Sequence, residues 1–87
     1  MLNNDLGDIF TPITVDKGTD VKECTSGVYL FDGAYTDYSN LPQANNCVVI
    51  VCRMLANRKD YIAMSSNSNK VYFGVQWGTS ITWNVLN

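Results

Sequence analysis

The sequence predicts an all-β fold: a small antiparallel sheet or two-layer β module of about five to six short strands, with room for one short helical turn. Three observations predict it. Residues 47–86 alternate between apolar and polar side chains with the period of a strand, in the runs CVVIVCRM, DYIAMSS, KVYFGVQW and ITWNVL. Asn, Ser, Gly and Lys, mostly turn-forming residues, separate most of these runs. The same region nowhere repeats its apolar residues at helical spacing.

The elements follow in chain order. Residues 1–8 read as a linker or tail, and residues 9–87 as a single β domain. Residues 9–15 form a short strand that Pro12 keeps at a sheet edge. Asp16, Lys17 and Gly18 make a turn. Residues 20–24 form either a single helical turn capped by Thr19 or Asp20, or a short extended piece. Gly27 opens a strand over 28–31 with Tyr29 and Phe31 on one face, Val28 and Leu30 on the other. Residues 32–46 hold Gly33, Pro42 and several Asn and Asp residues, and make a long irregular loop.

Residues 47–54 are apolar on both faces as far as Cys52, which predicts a central strand, covered on each side, with Val49 and Val51 in the core. A polar turn over 57–60 leads to a strand over 61–65, and residues 66–69 close a hairpin. The next strand, 71–77, and the last, 81–86, flank a Gly78-Thr79 turn. Alternation along these two predicts one core face of Val71, Phe73, Val75, Ile81, Trp83 and Val85, with Trp77 beside Trp83 near the turn. Tyr72 and Gln76 are expected on the opposite, polar surface with Thr82 and Asn84.

Composition narrows the function. Eighty-seven residues make one domain with little stability margin, which oligomerisation or attachment to a longer chain would relieve. Eight acids against six bases give a net charge of −2, which argues against nucleic acid and against anionic membrane surfaces as partners. No apolar run approaches the roughly 18 residues of a membrane-spanning helix. The start, MLNNDLGDIF, lacks the basic and apolar segments of a signal peptide.

The chain contains no histidine, so Cys-His and Ser-His pairs are excluded and no enzyme activity is expected. The carboxylates fall mostly in turns and tails. Asp32 and Asp37 flank the loop and read first as turn caps, second as ligands for a sugar hydroxyl or calcium. No calcium-loop spacing or phosphate-cradling glycine motif is present, and no cofactor or metal is expected. Cys24, Cys47 and Cys52 are odd in number. Cys47 and Cys52 fall on opposite strand faces, leaving three free thiols or a Cys24–Cys47 or Cys24–Cys52 bridge. Arg53, Arg58 and Lys59 read as a solvated turn, with an acidic glycan or a neighbouring subunit as the alternative contact. The loop residues Tyr35, Asp37, Tyr38 and Asn40, with Tyr72 and Gln76, form a candidate glycan site, because aromatic faces and amide groups suit sugar recognition. The competing reading is that Leu41 and one tyrosine merely pin the loop under the sheet.

The segments TDVKECTSGVYLF, SNLPQANN, CVVIVCRM, VYFGVQW and ITWNVL together resemble the pyocin-knob domains of bacteriophage tail fibres and tail-like bacteriocins. Asp20, Gly27, Tyr29, Tyr72 and Trp83 stand at positions that match the family pattern. The likeness spans residues 19–87. Gly74 replaces a family arginine, and Asp60 or Tyr61 stands where a glutamine is usual. The resemblance implies a virion protein: a receptor-binding tail-fibre domain, made in the host cytoplasm, that attaches to a bacterial surface glycan or protein. It also implies a homo-oligomer, with a trimer as the commonest form. The alternative is a structural knob that oligomerises or docks in the particle without touching the host. That alternative requires a neighbour to cover the exposed face of the sheet.

Overall fold

The computed structural model describes residues 11–87. Six strands lie side by side in chain order: β1 (Ile13–Thr14), β2 (Gly27–Phe31), β3 (Cys47–Leu55), β4 (Arg58–Ser65), β5 (Val71–Trp77) and β6 (Ser80–Val85). The described residues contain no helix beyond two 3-10 turns, Val21–Glu23 and Tyr35–Asp37. The expected all-β class is therefore the observed one. Strands β2 to β6 form an antiparallel meander. β1 departs from the expectation, because it runs parallel to β2. A parallel neighbour needs a crossover, and residues 15–26, carrying the first 3-10 turn, supply it. Residues 9 and 10 of the expected first strand, and the tail over 1–8, lie outside the described residues.

The 3-10 turn forms where capping predicts. The Asp20 carboxylate accepts from the Lys22 amide at 3.0 Å, satisfying one of the amides left without a partner at the start of the turn. Asn40 Nδ2 donates to the same carboxylate oxygen at 2.9 Å, which ties the turn to the β2–β3 loop. The loop itself is closed at its base by Asn46, whose amide donates to Gly33 O while its side chain accepts from Gly33 N, both at 2.8 Å. Asn40 and Asn46 take left-handed backbone angles, which asparagine tolerates better than most residues.

Residues 15–26 and the β2–β3 loop together form an irregular layer over one face of the sheet. Phe31, Cys47, Val49, Val51, Tyr61, Ala63 and Tyr72 come from the sheet side of this core, and Val21, Cys24, Tyr38 and Ala44 from the layer. Phe31 and Tyr38 meet edge to face at 5.1 Å. Tyr29, Leu41 and Trp83 pack against the core's margin.

The register corrects the expected faces of the last hairpin. The Gly78-Thr79 loop has two residues, so Trp77 pairs with Ser80, Gln76 with Ile81, Gly74 with Trp83 and Tyr72 with Val85. Directly paired residues share a face. Tyr72 and Gln76 thus point into the core with Ile81 and Trp83, and are 8 % exposed each. Val71, Phe73, Val75 and Trp77 lie on the other face with Thr82 and Asn84, and Trp77 is 50 % exposed. Phe73 and Trp77 are accordingly not core residues, and the two indoles stand on opposite faces.

Two further expectations change. The polar turn over 57–60 is mostly strand: β4 begins at Arg58, and only Ala56 and Asn57 make the turn. Pairing persists because a bulge between Arg53 and Leu55 absorbs one residue. β3 is central, but one face of it is covered, not both: Cys47, Val49 and Val51 are buried, whereas Ile50 and Cys52 are exposed. All three cysteines are free thiols.

Candidate functional site

Most of the residues expected in the loop site have partners within the fold. Tyr38 is buried, and its hydroxyl donates to Asp32 O at 2.6 Å. Asp37 pairs with Lys17 at 2.9 Å. Asn40 spends its amide on Asp20 and its carbonyl on Trp83, whose indole N–H donates to it at 2.7 Å. Tyr72 reaches Gln43 O through its hydroxyl at 3.2 Å. Gln76 accepts from the Tyr61 hydroxyl and donates to Gly78 O at 2.8 Å. Tyr35 alone of the six holds a partly exposed ring with no hydrogen bond to its hydroxyl among the described residues. The reading in which a tyrosine pins the loop is the observed one, and Tyr38 is that tyrosine. Asp32 gives the Tyr38 hydroxyl only its backbone oxygen. Among the described residues no group of three His, Cys, Asp or Glu side chains could hold a metal ion.

What the sheet leaves open is its second face. Two cross-strand rows make its apolar middle, beside a more polar row of Cys52, Asp60, Val75 and Thr82. Val28, Ile50, Ile62, Phe73 and Asn84 form one; Leu30, Val48, Met64 and Val71 form the other. Ile50, Ile62 and Met64 sit near the middle of the sheet, yet are 36–38 % exposed. No described element packs over them. At usual strand spacing and rise, five strands of about seven residues make a footprint of about 550 Å². The apolar patch is the part of that footprint left when Arg58, Asp60, Thr82 and Asn84 are set aside, and patches of a few hundred Å² are those that often serve a function on monomeric proteins.

Charge on this face is neutralised within it. Arg58 Nε and the Asp60 carboxylate pair at 2.9 Å, both partly buried, and the guanidinium lies 4.8 Å over the Trp77 ring. The face therefore presents aliphatic and aromatic surface with its one ion pair already satisfied.

The covered face carries Gly74. A Cβ on Gly74 would lie 2.7 Å from Trp83 Cζ3 and 2.8 Å from Cε3. The indole lies flat across the glycine and meets the Tyr61 ring at 5.5 Å from the neighbouring strand. Glycine here is a seat for Trp83, an aromatic filling the place of a missing side chain.

Burial sets the chemistry of the thiols and of Tyr61. Loss of hydration raises the Cys47 pKa to about 12 and that of Tyr61 to about 12, and raises that of Cys24. These groups stay protonated at neutral pH and offer no nucleophile.

No protein-family model matches this chain, and neither a curated protein nor a solved structure matches it.

Proposed function

We propose that this chain is a non-catalytic assembly module whose open sheet face is buried against a second copy of itself. The observation that carries the reading is the uncovered apolar middle of the sheet, where Ile50, Ile62 and Met64 retain over a third of their surface. A sheet buries both apolar faces in stable architectures, and the described residues supply cover for one. Flat sheet faces stack on one another about 10 Å apart, so an identical face is a geometrically sufficient partner. A self-complementary contact needs no charge difference between partners, which suits a face with an internally paired Arg58 and Asp60. The footprint is of the order of the roughly 800 Å² per partner that stable interfaces bury.

The non-catalytic part of the proposal is supported by the chain's lack of histidine and by the protonated state of its buried thiols. The setting is the one that the resemblance to pyocin-knob domains implies, a tail fibre or tail-like particle, in which a self-complementary face joins copies in pairs. There the open face joins copies and the irregular layer is left towards the bacterial surface. Tyr35 is the residue of the original loop set best placed to meet a glycan in that setting.

Sedimentation analysis tests the reading. The parent chain is expected to run as an oligomer. Ile62→Lys with Phe73→Lys is expected to give a monomer with an unchanged circular dichroism spectrum. A parent that stays monomeric across the accessible concentration range, or an oligomer indifferent to both lysines, overturns it.

A further inference from the structure

At the end of the covered face lies a cleft of about 610 Å³, lined by Lys22, Glu23, Thr25, Ser26, Arg53, Lys59 and Gln76. Its volume falls within the range of small-molecule sites. Its floor is one cross-strand row, because Arg53 pairs with Lys59 and Lys59 with Gln76. Its wall is the segment from the first 3-10 turn to the start of β2.

Two features of this row are unusual. Like charges directly opposite one another destabilise a strand pair, yet Arg53 and Lys59 are so placed. No described carboxylate answers them. Lys59 Nζ donates to Lys22 O and Cys24 O at 2.6 and 2.8 Å, Arg53 Nη2 to Ala56 O at 2.7 Å, and Lys22 Nζ to Thr79 O at 2.9 Å. Carbonyl oxygens orient these cations without neutralising them. The ion pairs among the described residues, Lys17–Asp37 and Arg58–Asp60, lie elsewhere. Half the chain's six Lys and Arg residues thus line one cleft against a single exposed acid, Glu23, in a protein of net charge −2. Ser26 adds a donor: its Oγ accepts from the Arg53 amide at 3.0 Å, which leaves its O–H unspent.

We infer that this cleft is a binding site for an oxyanion, a carboxylate or phosphate group carried by a small hydroxylated ligand. Arg53 and Lys22 supply the charge that the ligand meets, Lys59 holds the local positive potential in place, and Ser26 donates to an oxygen. The bound anion relieves the repulsion across the β3–β4 pair. The assignment is independent of the open face, which lies on the other side of the sheet.

The test is titration calorimetry on the full chain with inorganic phosphate and, separately, with glucuronate, using glucose as a neutral control. Saturable binding of phosphate or glucuronate, weakening as salt rises, is expected, with no binding of glucose. Binding of glucuronate alone assigns the ligand to acidic sugars; binding of phosphate alone assigns it to phosphorylated ones. Arg53→Gln with Lys22→Gln is expected to weaken binding by about tenfold or more, while Lys70→Gln, outside the cleft, leaves it unchanged. Lys59 also braces the wall through two carbonyls, so the Arg53 and Lys22 variants carry the test. Absence of saturable binding to either anion, or binding that survives Arg53→Gln with Lys22→Gln, overturns the inference.

Discussion

The two faces of this sheet use similar side chains under opposite circumstances. On the covered face Phe31, Cys47, Val49 and Tyr61 are fully buried, and an irregular layer is bonded down over them. On the open face Ile50, Ile62 and Met64 occupy equally central positions, with large aliphatic groups still in contact with water. The polar groups divide in the same way. Tyr38, Tyr72, Gln76 and Ser65 each satisfy a hydrogen bond inside the covered layer, and no buried side-chain polar atom among the described residues lacks a partner. The comparison teaches that the described contacts holding a single copy together gather on one face, while the other keeps apolar side chains in water, and the proposed association rests on that difference.

The sharpest way to break the comparison is to truncate one side chain on each face. Phe31→Ala is expected to cost about 3–5 kcal/mol in urea unfolding, from lost burial and the cavity beside Tyr38. Ile62→Ala in a monomeric background is expected to cost about 1 kcal/mol or less, because much of its surface is already wet. Equal losses at the two sites would remove the distinction between the faces.

Gly74→Ala probes the covered face more finely. The new methyl displaces the Trp83 ring, and about 1–3 kcal/mol of destabilisation is expected. Gly74→Ala with Trp83→Leu should recover part of that loss, since the clash is with the indole itself.

Alkaline titration gives a smaller effect with a fixed sign. Cys47 and Tyr61 have folded pKa values raised from 9.0 and 10.0 to about 12. Both groups are protonated in both states below pH 9, so their contribution is fully present there. Between pH 9 and about 12 the unfolded chain releases these protons first, and stability falls as pH rises. Urea midpoints measured from pH 8 to 11 should decline steadily, and the decline should shrink in Cys47→Ala with Tyr61→Phe. The mildest probe is chemical. In the monomeric Ile62→Lys, Phe73→Lys variant a thiol reagent at neutral pH is expected to label Cys52 on the open face quickly, and Cys24 and Cys47 only after unfolding.

Much of the layout was legible in the residues. Period-two alternation located five strands, Pro12 and the early turn located the edge, and Thr19 or Asp20 was recognisable as a cap, of which the fold uses Asp20. The face of β5 was misread because both of its sides carry large groups: Val71, Phe73 and Val75 look like core, while Tyr72 and Gln76 look like surface. The information that decides it was present. A two-residue loop at Gly78-Thr79 makes Trp77 face Ser80, which sends Ile81 and Trp83 to the side of Gln76 and Gly74. Simple hydrophobicity overrode that arithmetic, because a buried tyrosine or glutamine whose polar end finds a partner costs little. The loop residues were read as ligand groups for a related reason: Tyr38, Asp37 and Asn40 looked unpartnered, yet each has a partner within the fold. Arg53 and Lys59 of the cationic cleft were legible as part of a basic cluster with Arg58, but only the fold adds Lys22, distant in sequence, and turns Arg58 to the other face.

Trp77 and Trp83 are the only indoles in the chain, and the sheet separates them. Their fluorescence therefore divides the molecule's behaviour into two channels. Emission from Trp83, seated on Gly74 and bonded to Asn40, reports whether the chain is folded. Emission from Trp77, half in solvent beneath Arg58, responds to whatever covers the open face. Single-tryptophan variants would let folding and assembly be timed separately in one solution, without an attached dye.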